Sequence, residues 1–303
     1  MEFVLSTKEL HKKYGNFAAL KGLTMQIPKG AIYGLVGRNG AGKTTLIRLV
    51  CGLQKPSHGS YQIFGCSYGS PELVAARRRM GAVVETPSIY PDMTAADNLK
   101  IQCDILKRNY EEVDSLLELV GLSDTGTKKA GKFSLGMRQR LGIAIALCGG
   151  AEFLILDEPT NGLDPQGIVD MRNLILKLNQ ERGITFLISS HILDELSKIA
   201  THYGFVSKGV MVKEMTSREL EERRCKSIHI TTGGSGNLPL ALNKLNFQHK
   251  LLTETQAEIY ENKTITALVL SLHKHGIIVE NLVEKEENLE QYYFSLLGGD
   301  SHG

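Results

Sequence analysis

The sequence predicts an α/β fold: a mostly parallel sheet with crossover helices, a helical insertion within it, and a small α+β unit at the end. Three observations predict it. Apolar β-runs alternate with helical periodicity as far as about Glu214. A glycine-rich loop, Gly37 to Thr44, lies between the apolar run Ala31 to Val36 and a helical pattern. The apolar run Phe153 to Leu156 delivers Asp157 and Glu158 to its end, the edge at which open α/β sheets bind ligands.

Composition sets the bounds. With 303 residues, 42% of them apolar, the chain has material for a large core and for one or two domains. A formal net charge of +2 is close to balance, so composition points to no nucleic-acid or anionic-lipid partner. The five cysteines, Cys51, Cys66, Cys103, Cys148 and Cys225, form no Cys-x-x-Cys pair and read as reduced, buried thiols. Met1 to Lys8 carries Glu2 and lacks the basic-then-apolar pattern of a leader. The longest uncharged apolar stretch, Leu141 to Ala151, is too short to span a bilayer. A membrane role would be exercised from the surface.

In order, β-runs are expected at Phe3 to Leu5, Leu23 to Ile27 and Ala31 to Val36, with turns at Gly15-Asn16 and Pro28-Lys29-Gly30. A helix follows the glycine loop from Lys43 to about Leu53. Tyr61 to Phe64 and Met80 to Val84 read as further strands. From Thr94 to about Gly121 apolar residues recur at three and four (Leu99, Ile101, Ile105; Val113, Leu116, Leu117, Val120) with polar residues between. This stretch and the helix Leu135 to Leu147 make a helical insertion over about 94–147. The strand Phe153 to Leu156, the helix Gln166 to Arg182, the strand Ile184 to Ser189 and the helix Leu193 to Thr201 follow. A hairpin, Tyr203 to Val206 and Val210 to Glu214, turns at Lys208-Gly209. The domains are expected at 1–215 and 216–303. The charged stretch Ser217 to Lys226 reads as a linker helix. The tail then reads as strand (Ser227 to Thr232), a Gly-Gly-Ser-Gly turn, and helix (Leu238 to Leu245). Strands Gln248 to Leu252 and Glu258 to Tyr260 come next. A helix (Thr264 to His275), a strand (Ile277 to Val283) and a last helix (Asn288 to Leu297) complete a βαββαβ unit.

The loop Gly37-Arg38-Asn39-Gly40-Ala41-Gly42-Lys43-Thr44 fits G-x-x-x-x-G-K-[ST] in full, with strand before and helix after. Glycines let successive backbone N–H groups converge on phosphate oxygens, and the helix N-terminus adds its partial positive charge. Lys43 is placed to reach the outer phosphates, Thr44 to offer a hydroxyl to Mg²⁺, and Thr45 to add a further contact. Asp157 is placed to hold Mg²⁺ through water, and Glu158 to polarise an attacking water as general base.

At this point the chain resembles the ATPases of ABC transporters, from Leu5 to about Glu214. Phe133-Ser134-Leu135-Gly136-Met137 stands where that family has its Leu-Ser-Gly-Gly-Gln signature. Asn161-Gly162-Leu163-Asp164 matches the D-loop. His191 matches the switch histidine, and Tyr14 the aromatic residue that stacks on adenine. Singly each is ordinary: a histidine after a strand usually packs or faces solvent, and Ser-x-Gly opening a helix is usually a cap. Together and in this order they carry the resemblance.

The resemblance implies ATP hydrolysis with Mg²⁺ accompanying ATP. It also implies a head-to-tail homodimer in which Ser134, Leu135, Gly136 and Met137 of one copy complete the nucleotide site of the other. Integral membrane permease subunits would be the partners, at the cytoplasmic face of the membrane, with no nucleic acid. His191 would position the γ-phosphate and water, and Asp164 would communicate across the dimer.

Two departures stand out. Glu85, in Val83-Val84-Glu85-Thr86-Pro87, occupies a position where the family usually has glutamine, and Leu135 and Met137 replace glycine and glutamine. Glu85 is expected near Mg²⁺ and the γ-phosphate, as a coupling residue. A glutamate there, Tyr90-Pro91-Asp92-Met93-Thr94, and the tail Asn288-Leu289-Glu290-Gln291-Tyr292-Tyr293-Phe294 to Leu297-Gly298-Gly299 resemble the bacitracin-resistance and lantibiotic-immunity branch. That branch implies antimicrobial-peptide export or immunity. The alternatives are an ABC exporter of another substrate and a non-transport ABC ATPase. The stretch between Thr44 and Phe133 is too short for the long coiled coils of DNA-repair types. Translation-associated types usually carry two cassettes, and this chain has one. No Asn-Lys-x-Asp motif supports a GTPase.

Overall fold

A computed structural model describes residues 2–191, 193–223, 226–233, 237–260, 265–286 and 289–296. The chain divides into two compact units, Met1–Arg218 and Glu219–Gly303.

The first unit holds two sheets. One is antiparallel, in the order β2-β1-β4-β5, from β1 (Phe3–Tyr14), β2 (Phe17–Pro28), β4 (His58–Ile63) and β5 (Cys66–Ser67). Gly15-Asn16 closes β1 onto β2 with Tyr14 opposite Phe17. Gly15 has φ 56, the conformation a two-residue turn demands at its first central position. Both strands run well beyond the apolar segments expected. Lys8, Glu9 and Lys13 interrupt the apolar run of β1, but their exposure shows that they line its solvent side. Register shifts between Thr7 and Leu10 further break the alternation of the pattern.

The other sheet has the order β10-β9-β3-β8-β7-β6, from β3 (Ile32–Val36), β6 (Met80–Val83), β7 (Phe153–Asp157), β8 (Thr185–Ser190), β9 (His202–Ser207) and β10 (Val210–Thr216). It is parallel except where β10 returns antiparallel on β9. Every residue of β3, β7 and β8 is buried, as central strands covered on both faces require.

The helices of this unit are α1 (Lys43–Val50), α2 (Leu73–Arg77), α3 (Ala95–Leu106), α4 (Val113–Leu119), α5 (Leu135–Leu147), α6 (Pro165–Arg182) and α7 (Leu193–Ser197). The helical insertion starts at a capping box. Thr94 accepts from the Asp97 amide, and the Asp97 carboxylate accepts from the Thr94 amide. The stretch expected as one helical pattern splits at Lys107, whose left-handed φ of 55 ends α3. α3, α4 and α5 pack on one another. The thiols of Cys103 and Cys148 meet there at 3.5 Å as free cysteines, and burial pushes the Cys148 thiol up to about 12, so it stays protonated. Cys225 lies outside the described residues.

α8 (Ser217–Arg223) carries the division between the units and is shorter than the linker helix expected, since Lys226 already belongs to the next strand. The second unit runs β11 (Lys226–Gly233), α9 (Leu238–Lys244), β12 (His249–Leu251), β13 (Gln256–Ile259), α10 (Ile265–His273), β14 (Ile278–Glu286) and α11 (Leu289–Leu296). Its antiparallel sheet has the order β12-β13-β11-β14, the split-βαβ arrangement. Ile228, Ile230, Leu242, Ile259, Leu268 and Leu272 form its core. Expectations for Gly234 to Gly236, Thr264, Asn288 and Leu297 to Gly299 fall outside the described residues. Among the described residues no helix is long and apolar enough to cross a membrane.

β6 meets α5 at an unusually close approach. A Cβ on Gly81 would lie 2.1 Å from the Ala146 carbonyl oxygen, so only glycine lets the helix sit this near the strand. Gly81→Ala is therefore expected to cost about 1–3 kcal/mol, the range for overpacked cores, and to lower the thermal midpoint in a melting experiment.

Candidate functional site

The site assembles at the C-terminal ends of β3, β7 and β8, which lie side by side. β3 runs into the loop Gly37 to Thr44, and α1 starts at Lys43. Gly42, at φ 109, occupies a conformation closed to other residues, and a Cβ there would stand 2.9 Å from the Ala19 carbonyl oxygen. The Ala41 amide donates to Arg38 O at 3.0 Å, and the Gly209 amide donates to Ala41 O at 2.9 Å, which fixes the loop against the β9–β10 turn.

Lys43 is 5% exposed. Its ammonium donates to Gly37 O at 2.7 Å and lies 3.4 Å from Glu158 Oε1. A buried ammonium needs such partners, because removing it from water is costly. Glu158 follows β7 at φ 52, a left-handed conformation that glutamate rarely adopts. Its Oε2 meets His191 Nδ1 and also accepts from the His191 amide at 3.3 Å. A carboxylate only accepts, so Nδ1 carries the proton in that contact. Asp157 is buried at the end of β7 and accepts from the Ser189 hydroxyl. The Ser189 oxygen in turn accepts from the Glu158 amide at 3.0 Å.

These groups open onto a cleft of about 410 Å³, lined by Tyr14, Phe17, Ala19, the segment Asn39 to Thr45, Glu158, Asn161 and His191. A larger cleft of about 600 Å³, lined in part by Lys29, Phe64, Leu147, Glu152 and Arg182, holds none of the glycine loop or the strand-end acids. The chemistry therefore resides in the smaller cleft. Tyr14 stands at its mouth, its hydroxyl donating to Gln54 Oε1 and its ring 5.2 Å from the Lys12 ammonium.

A sequence model of the family described as ABC transporter matches residues 20–161. The bacitracin transport ATP-binding protein BcrA of Bacillus licheniformis is 38% identical, with all of both chains covered. The chain belongs to the ABC transporter ATP-binding family. The lantibiotic transport ATP-binding protein SrtF of Streptococcus pyogenes is 40% identical over 72% of this chain and 95% of its own. Among solved structures, cbiO1 from Clostridium perfringens, part of an ABC transporter complex, superimposes with a TM-score of 0.67 at 27% identity, covering 74% of this chain and 92% of that one. A dimeric bacterial ABC transporter cassette matches with a TM-score of 0.64 at 25% identity, covering 71% of this chain and 99% of its own.

Other residues singled out from the ABC pattern lie away from the cleft lining. Ser134 caps α5, its oxygen accepting from the Met137 amide at 3.2 Å. Leu135, Gly136 and Met137 form the first turn, which lies against the D-loop: a Cβ on Gly162 would be 3.2 Å from Leu135, and one on Gly136 would be 3.7 Å from Leu163. Asp164 caps α6 by accepting from the Gly167 amide at 3.1 Å. Glu85 is exposed, and its carboxylate accepts from the Arg48 guanidinium.

Magnesium would arrive with ATP. Among the described residues no cluster of three or more acids, histidines or cysteines could hold a metal alone. The donors present are hard oxygens, the Thr44 hydroxyl and the Asp157 carboxylate, which suit Mg²⁺ with phosphate and water completing its shell.

Sequence reasoning did not assign roles to Ser189, Phe17 or Gln54. For Ser189 the deciding fact is the register Asp157↔Ser189 between β7 and β8, which no local pattern announces. Since its hydroxyl orients Asp157 and braces the Glu158 amide, Ser189→Ala is expected to lower kcat for ATP hydrolysis about tenfold while KM for ATP stays within about twofold, measured by steady-state phosphate release.

Proposed function

We propose that this chain is the ATP-hydrolysing motor of a transporter that exports or expels an antimicrobial peptide of the bacitracin or lantibiotic class. The observation that carries the hydrolytic part is the double hold on Glu158, gripped by Lys43 on one oxygen and His191 on the other. The peptide class is supported by the full-length likeness to the bacitracin transport protein and by the lantibiotic relative.

The steps follow from the side chains. ATP lays its phosphates in the loop Gly37 to Thr45, with its base against Tyr14. Thr44 and Asp157 would hold the Mg²⁺ that accompanies ATP, which would neutralise phosphate charge. Lys43 exchanges Glu158 for the γ-phosphate oxygens. The freed Glu158 accepts a proton from the attacking water as the water oxygen bonds to the γ-phosphorus and the bond to the β–γ bridging oxygen breaks, releasing ADP and phosphate. His191 orients that water and the γ-phosphate.

On this reading residues 1–215 form the ATP-binding domain and 216–303 an accessory domain. Two copies act together on membrane permease subunits, at the cytoplasmic face. The Ser134 to Met137 turn, which is no part of its own copy's cleft lining, meets the γ-phosphate of the other copy with its helix N-terminus. ATP then binds the copies together, hydrolysis releases them, and Asp164 lies along the joint.

Removing the base without its shape tests this. Glu158→Gln is expected to lower kcat at least 100-fold. With saturating MgATP, alone or with its permease, it should accumulate as a dimer in light scattering. A strictly monomeric Glu158→Gln protein under both conditions overturns the two-copy mechanism. Full turnover in that variant overturns the role of Glu158.

A further inference from the structure

The ends of β6 and β7 bring three carboxylates to one side of the sheet. β6 pairs with β7 in parallel, Val83 beside Leu156. Glu85 follows Val83 by the same interval that separates Glu158 from Leu156. Asp157, Glu158 and Glu85 therefore all leave the sheet at one edge, the edge that receives a triphosphate.

α1 supplies a cation to each outer member of this set. Lys43, at its start, reaches Glu158, and Arg48, one turn beyond Thr44, donates to Glu85. Glu85 holds φ 62, a left-handed conformation uncommon for glutamate, with its carboxylate turned onto the guanidinium. The two side chains are 38% and 57% exposed, so the pair adds little to stability, and its effect is positional and electrostatic.

We propose that Arg48 is a positioning residue for ATP hydrolysis: it neutralises Glu85 and holds that carboxylate off the phosphate cluster, which is what allows a glutamate at this strand end. This rests on the ATP-site reading above. Without Arg48, an uncompensated carboxylate stands at the sheet edge where the triphosphate binds, and like charges repel. Glutamine at position 85 removes the need for a counter-ion. Arg48 and Glu85 should then depend on each other, and neither should matter to folding.

The test is a double-mutant cycle on the full chain, reading ATP turnover against MgATP concentration at low ionic strength. Arg48→Gln is expected to raise KM for MgATP roughly three- to tenfold, as an unpaired charge near the phosphates would. Arg48→Lys should keep most of the wild-type affinity. Glu85→Gln alone should leave KM in place, and Glu85→Gln added to Arg48→Gln should return KM to the wild-type range. A wild-type KM in Arg48→Gln, or a double variant as impaired as Arg48→Gln, overturns the inference. Lys43→Ala is measured alongside: if it turns over ATP normally, the ATP-site reading itself fails, whereas if it is inactive and Arg48→Gln is unaffected, only the role of Arg48 falls.

Discussion

A buried ammonium must be answered by negative charge, and the first unit is organised around that requirement. Lys43 enters a largely dry position because the phosphate loop turns back over it, where it finds the Gly37 carbonyl and the Glu158 carboxylate. Glu158 in turn takes an uncommon backbone conformation in order to reach it. On the proposed mechanism the protein without nucleotide is an ion pair awaiting a better anion. The γ-phosphate carries more charge than Glu158, so its arrival both satisfies Lys43 and frees the base. Binding and activation are then one exchange.

That exchange depends on strand order. β3, β8 and β7 are neighbours in space while whole helices, and the entire helical insertion, separate them in the chain. Parallel pairing sends their ends to the same edge. The loop, the acid pair and the Ser189 to His191 segment therefore converge without any of them being adjacent in sequence. The second unit has its own antiparallel sheet and its own core, so its stability draws on a separate set of apolar residues.

What the sequence revealed and what it hid divide by range. The bounds of α5 coincide with the apolar run after the Ser134 cap, and the glycine loop, Asp157 and Glu158 are read from contiguous residues. The split-βαβ order of the tail also follows from runs a few residues long. By contrast, the length of β1 was hidden by Lys8, Glu9 and Lys13 on its exposed side. The gap between α3 and α4 turns on the single left-handed residue Lys107, which carries no glycine or proline signal. The tie from Ser189 to Asp157 depends on the pairing register of β7 and β8, and the Arg48–Glu85 pair joins helix α1 to the segment after β6, so neither is announced by a local pattern. Glu85 was expected near Mg²⁺ and the γ-phosphate as a coupling residue, and its contact with Arg48 was not legible in the sequence.

The near-contact of Gly81 with Ala146 has a mechanical consequence. It pins the C-terminal end of α5 to an edge strand, while the N-terminal end bears Ser134. A helix of this length spans about 20 Å. Any tilt of α5 then swings about its pinned end, as a lever does about its fulcrum. The smallest displacement falls beside the sheet and the largest at the serine.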